Sequence, residues 1–132
     1  MTMDWTQRLL VTRTLAMPAD TNPRGDIFGG WIVSLMDISV AAMSSRFARG
    51  LTATRAIRNV IFDKPIFVGD ELSVYAKLTT VGNTSLTFEV DVTVQRSGLD
   101  EEIPAVRGTF VMVALDDNRR PRRIDRCDIS KS

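Results

Sequence analysis

Ile27-Phe28-Gly29-Gly30-Trp31-Ile32-Val33-Ser34-Leu35-Met36-Asp37-Ile38-Ser39-Val40-Ala41-Ala42-Met43-Ser44-Ser45 carries a single charge, Asp37. The run is too long for one buried strand. Apolar side chains fall on nearly every face of the helix it would form, so it reads as a helix buried all round. A membrane span requires about 18 to 20 apolar residues. Four serines, two leading glycines and a mid-run aspartate argue against a span here. Arg46, Arg49 and Gly50 read as the helix end, with cations near the negative end of the dipole and glycine just beyond.

The remainder is patterned for strands. Arg8 to Met17 mixes β-branched and apolar residues and stops at Pro18, and Pro18 to Asp26 is a loop of turn formers. Thr54 to Phe62 reads as a strand ending at Asp63-Lys64-Pro65. Leu72, Val74, Ala76 and Leu78 alternate with polar residues. After the tight turn Val81-Gly82-Asn83-Thr84, so do Leu86, Phe88, Val90, Val92 and Val94. Val106 to Leu115 is a last, more apolar strand. The residues from Asn118 onward hold six cations against Asp125 and Asp128. The expected organisation is one domain over residues 1–116 and a basic tail over 117–132.

The fold class is therefore α+β: a strand, one long helix, then four strands whose short connections favour antiparallel pairing. One sheet can cover only one side of a helix that is apolar all round. The simplest resolution curls the sheet around the helix and covers the residual apolar surface with a second copy of the chain, a homodimer.

The chain has 132 residues, 44% of them apolar and 25% charged, as expected of one globular domain. A formal net charge of +1 advertises no nucleic-acid partner, and none is expected, nor is a membrane. Histidine is absent, which removes Ser-His-Asp, Cys-His and His-metal sites together. One cysteine, Cys127, forms neither an intrachain disulfide nor a thiolate cluster, so no metal site is expected. The first residues lack a signal-peptide pattern, and the cytoplasm is the expected compartment.

Asp37 is the candidate for chemistry. An ionised carboxylate among apolar groups costs on the order of several kcal/mol unless paired or hydrogen-bonded, and positions 33, 34, 40 and 41 offer no cation. It is either a buried acid bonded to the fold or a general base or nucleophile facing a cleft. Gly25-Asp26-Ile27-Phe28-Gly29-Gly30 enters the same helix. Its glycines either permit a tight entry turn or bare N–H donors, notably that of Gly30, to a developing oxyanion. Asn22 is either a turn asparagine or an amide that holds a water or carbonyl. Asp37 lies seven residues beyond Gly30, about 10 Å along the helix at about 1.5 Å per residue. A carbonyl held by the Gly30 N–H is too far from the carboxylate of its own chain. If both act on one atom, Asp37 comes from a partner subunit.

Leu15-Ala16-Met17-Pro18-Ala19-Asp20-Thr21-Asn22, Gly25-Asp26-Ile27-Phe28-Gly29-Gly30-Trp31-Ile32 and Leu35-Met36-Asp37 closely resemble the bacterial YciA-like acyl-CoA thioesterases of the hotdog-fold superfamily. Phe62-Asp63-Lys64-Pro65-Ile66 and Val68-Gly69-Asp70 are similar to that family's strand-end and turn segments, and the likeness extends over roughly residues 9–116. It implies a hotdog fold, one long central helix wrapped by a five- or six-stranded antiparallel sheet, assembled as dimers and often as trimers of dimers. It also implies hydrolysis of acyl-CoA to free acid and CoA at the dimer interface. The catalytic carboxylate then falls on Asp37, the loop asparagine on Asn22 and the oxyanion donor on Gly30, beside Gly29. No cofactor is expected, since coenzyme A enters as part of the substrate.

The phosphates of CoA call for cations at the cleft mouth. Arg55 and Arg58, read as sharing one face of their strand, are the first choices, with Lys64, Arg107 and the tail arginines behind them. Phe28 and Trp31 are candidates for contact with substrate. Trp31, Met36, Met43 and Phe47 either line an acyl tunnel or belong to the core. The competing function is a hotdog domain that binds acyl-CoA without cleaving it. A hotdog dehydratase would need a histidine.

Overall fold

A computed structural model describes residues 4–96 and 98–125. Strand β1 (Leu9–Leu15) leads through a one-turn 3-10 segment at Pro18–Asp20 to helix α1 (Gly29–Ala48). Four strands follow: β2 (Thr52–Phe62), β3 (Glu71–Val81), β4 (Ser85–Gln95) and β5 (Ile103–Ala114). They form one five-stranded sheet in the order β1-β3-β4-β5-β2, with every pairing antiparallel. This is the expected hotdog architecture, with α1 packed across the sheet.

Alternation in β3 and β4 does what the pattern requires. Leu72, Val74, Ala76 and Leu78 join Leu86, Phe88, Val90, Val92 and Val94 in the buried layer, with Phe110 and Met112 of β5 beside them. From the helix, Ile32, Met36, Val40, Met43 and Phe47 meet this layer at spacings of three and four. Met36, Met43 and Phe47 are thus core residues, and Trp31 is half-buried at the edge.

The helix is not buried all round within one chain. Gly30, Ser34, Ile38 and Ala42, four residues apart, form its opposite face and are exposed, Ile38 at 64%. A single sheet has one inner surface, so the second apolar face stays open. The helix end also differs from expectation. Arg49, not the Gly50 that follows it, takes the left-handed conformation (φ 55°), and the Gly50 N–H reaches the Ser45 carbonyl at 3.2 Å.

The tail past residue 116 returns to the domain as far as it is described. The Ile124 side chain is buried and its N–H donates to the Asn83 carbonyl at 2.8 Å. The Arg122 guanidinium donates to the Leu115 carbonyl at 3.1 Å and to the Ala48 carbonyl at the end of α1. Arg126, Cys127 and Lys131 lie outside the described residues.

Candidate functional site

The loop before α1 is built by Asn22. Its Oδ1 accepts the N–H groups of Arg24 (2.9 Å) and Asp26 (3.1 Å), and its own N–H donates to the Asp26 carbonyl at 2.6 Å. This is the turn role read from sequence. It leaves the Nδ2 amide without a hydrogen-bond partner among the described residues, so one side chain both builds the loop and keeps a free donor.

Helix α1 then begins without a side-chain cap at Phe28, whose own N–H donates to the Asp20 carbonyl at 2.9 Å. The first intrahelical bond runs from the Ile32 N–H to the Phe28 carbonyl, at 3.2 Å. The N–H groups of Gly29, Gly30 and Trp31 are the unpaired donors that every helix start exposes, with the positive end of the dipole behind them.

The two glycines answer different demands. A Cβ on Gly29 would lie 3.1 Å from Cζ of Phe62, so its bareness lets the β2 end pack against the helix start. A Cβ on Gly30 would meet nothing within 4 Å. The side-chain position of Gly30 is therefore open space, and the residue is exposed.

A crevice of about 290 Å³ opens here, lined by Asn22, Arg24, Gly29, Phe62 and Lys64 and floored by Ile32 and Ile66. Asn22, Gly29 and Lys64 are thereby brought together. Phe28 is half-exposed beside them. Arg24 and Phe62 were not singled out from sequence: Arg24 reads as a loop cation, and Phe62 as the last residue of a strand.

Asp37 does not line this crevice. It sits two turns along α1, half-buried rather than enclosed by apolar groups, and its Oδ1 accepts a hydrogen bond from Thr54 Oγ1 of β2 at 2.5 Å. Thr54 was missed because its relation to Asp37 crosses from helix to sheet, where no local spacing signals it.

Arg55 and Arg58 are exposed and do not line the crevice either. They are three residues apart, which alternation alone sends to opposite faces. The β2–β5 register slips at Arg55, between Thr54 and Ala56, and again between Arg58 and Ile61, so the expected shared face does not follow from the spacing. Arg107 is paired with Asp63 at 3.1 Å. Among the described residues no cluster of three or more His, Cys, Asp or Glu side chains could hold a metal ion. No described helix is long and apolar enough to cross a membrane.

Residues 24–100 match the model of the Thioesterase superfamily. The chain belongs to this superfamily, on the hotdog fold, and within it to the YciA-like acyl-CoA thioester hydrolases. Acyl-CoA thioester hydrolase YciA of Salmonella typhimurium is 41% identical over 125 residues, spanning 92% of this chain and 94% of that protein. The crystal structure of HI0827, a hexameric broad specificity acyl-coenzyme A thioesterase, is similar at a TM-score of 0.85 and 39% identity, covering 95% of this chain and 86% of that one. The hexameric thioesterase y2039 of Yersinia pestis gives a TM-score of 0.85 at 41% identity, covering 89% of this chain and 95% of that one.

Proposed function

We propose that this protein hydrolyses acyl-CoA thioesters to free acid and CoA at a site completed by two protomers. Acyl-CoA thioesterases and thioester hydrolases among its relatives support the reaction. Hexameric relatives support assembly as dimers, joined further into a trimer of dimers. The observation that carries the composite site is the separation of its two halves. The unpaired donors and Asn22 lie at the helix start, whereas Asp37 stands seven residues beyond Gly30 on the same helix; Asn22 and Gly29 line the crevice, and neither Gly30 nor Asp37 does.

In this reading the thioester carbonyl oxygen accepts the Gly30 N–H, with Gly29 beside it, and charge develops there against the helix dipole. Asp37 of the second protomer takes a proton from an attacking water, or attacks the carbonyl carbon itself to form an anhydride that water then opens. In both routes the C–S bond breaks and the CoA thiolate leaves and is protonated; the oxygen from water ends in the acid when water attacks the acyl carbon, and in Asp37 when water opens the anhydride at the Asp37 carboxyl carbon. The Asn22 Nδ2 steadies the water. Lys64 at the crevice, with Arg55 and Arg58 on β2, meets the phosphates of CoA, while Phe28 and Trp31 contact the pantetheine or acyl portion. No cofactor is called for. The absence of any disulfide framework in a one-cysteine chain supports a reducing, cytoplasmic setting.

The test is a hydrolysis screen over acyl-CoA chain lengths with free CoA detected by a thiol reagent, wild type against Asp37→Ala. Turnover that depends on Asp37 is expected; full turnover in the variant removes the mechanism. Binding of acyl-CoA without release of CoA would make this a binding domain instead. Co-expression of Gly30 and Asp37 variants, each inactive alone, is expected to restore one working site per mixed dimer. Single-turnover hydrolysis in labelled water separates the two routes, because the label enters Asp37 only if the carboxylate attacks.

A further inference from the structure

Asp70 is a buried carboxylate, 4% exposed, that the mechanism above does not use. It closes the turn between β2 and β3, a segment singled out from sequence with no role attached. Its Oδ2 accepts the Phe67 N–H at 2.9 Å, and its Oδ1 lies 3.3 Å from Nε of Arg96, just beyond β4. The same guanidinium donates through Nη2 to the Pro65 carbonyl at 3.1 Å and sits 5.2 Å from the centre of the Phe67 ring. One ion pair therefore grips both ends of the 65–70 turn.

That turn holds the entry to α1. The Ile66 carbonyl accepts the Ile27 N–H at 2.8 Å, and Asp26 bridges Phe67. On the other side, Ala16 exchanges hydrogen bonds with the turn: its N–H donates to Asp70 O, and its carbonyl accepts the Gly69 N–H, both at 2.9 Å. Ile27 is two residues before Gly29, and Pro65 and Ile66 form a wall of the crevice that Gly29 and Asn22 also line. Asp70 and Arg96 do not line that crevice.

With Asp70 buried and the Arg96 side chain 30% exposed, this ion pair is a weak device for stability, because desolvation of the carboxylate cancels much of the attraction. What it supplies is direction: fixed anchors for one carbonyl and one N–H at either end of a short turn. Direction matters at a helix start whose donors must meet a carbonyl, since a displacement of about 1 Å costs on the order of 10²-fold in rate.

We propose that Asp70 and Arg96 are positioning residues for the helix-start donors, acting through the 65–70 turn and its bond from Ile66 to Ile27. The proposal rests on the functional reading given above. Its test compares Arg96→Met and Asp70→Asn with Arg8→Met, which breaks the 2.6 Å Arg8–Asp91 pair on the outer face of the sheet. Two readouts are taken: kcat and KM on acyl-CoA, and hydrogen exchange of the Ile27 amide.

Arg96→Met is expected to lower kcat by about 10-fold or more while KM changes by less than about 3-fold. Exchange at Ile27 is expected to speed up by at least about 10-fold. Asp70→Asn follows in the same direction, and Arg8→Met changes neither readout. If Arg96→Met fails to fold, Arg96→Lys takes its place. It keeps the charge at Asp70 but has a single nitrogen where the guanidinium uses two, Nε for Asp70 and Nη2 for Pro65, and is expected to fall between wild type and the Met variant.

A lowered melting temperature with unchanged kcat and unchanged Ile27 exchange overturns the proposal, as does an equal loss of kcat in Arg8→Met. Should wild type hydrolyse no acyl-CoA, the functional reading falls on its own, and exchange at Ile27 still decides whether the ion pair controls the helix entry.

Discussion

Thr54 of β2 donates its hydroxyl to Oδ1 of Asp37 across 2.5 Å, joining the edge strand to the middle of α1. The Oδ2 of Asp37 has no hydrogen-bond partner among the described residues. One oxygen is thus anchored to the sheet, and in the proposed mechanism the other meets a water or a carbonyl carbon. Thr54→Val, of nearly the same shape, is expected to lower kcat about 10-fold with little change in KM, and Thr54→Ser to recover most of the loss. Asp37→Asn is expected to lower turnover by at least about 10²-fold. Because Asp37 is only half-buried, the variant's circular dichroism should match wild type.

Gly30→Ala separates stability from activity. The added methyl meets nothing in its own chain, and alanine is the better helix former by up to about 1 kcal/mol. In the proposed site the same methyl crowds the carbonyl that the Gly30 N–H is to bind. The melting temperature is expected to hold or rise while kcat/KM falls by at least about 10-fold. Thermal melts and CoA release on one preparation check both.

On the outer face of the sheet, the Tyr75 hydroxyl donates to Glu102 at 2.7 Å. This bond holds the Glu102 carboxyl below its ordinary range, assisted by Thr93 and by Arg13 and Arg8, and raises the Tyr75 phenol. A lowered carboxylate stabilises the fold above its unfolded pKa, and that contribution disappears as pH falls through the folded value. A raised phenol contributes below its unfolded pKa and is lost as pH rises through its folded one. Tyr75→Phe is therefore expected to melt below wild type at neutral pH, with the gap closing under acid below about pH 4. Melting temperatures across pH 3 to 7 test this.

Arg122 joins the tail to the helix end. Its guanidinium reaches the Ala48 and Leu115 carbonyls, and a Cβ on Gly50 would lie 3.0 Å from its Nη2. A cation over the last carbonyls of a helix satisfies unpaired acceptors and opposes the dipole. Arg122→Ala is expected to lower stability by about 1–2 kcal/mol without changing kcat. Chemical denaturation would measure the loss.

The elements were legible because their signals are local. Leu86, Phe88, Val90, Val92 and Val94 recur with period two and are all buried, and the nearly uncharged run around Asp37 is the helix. The loop asparagine and paired glycines at the helix start were legible too, since turn chemistry acts within a few residues. Thr54 on Asp37, Phe62 on Gly29 and Arg96 on Asp70 were not. Each spans 17 or more residues and depends on which strand lies beside which element. Nor was the relation of Arg55 to Arg58, because a bulge changes the strand's alternation where one falls.

By itself the amino-acid sequence determined one long apolar helix with a single acid behind a glycine pair, set among strands that pair antiparallel, while the hotdog thioesterase family came from the resemblance of the motifs between Leu15 and Asp37. Hydrophobic period and turn residues are enough for the elements, because each is written in neighbours along the chain. The tertiary structure alone decided that one face of the helix stays open, that Asp37 is bound to an edge strand and kept out of the Asn22 crevice, and that a remote ion pair braces the helix entry. Those are consequences of strand order and of a sheet having a single inner surface, and neither is a property of any one segment.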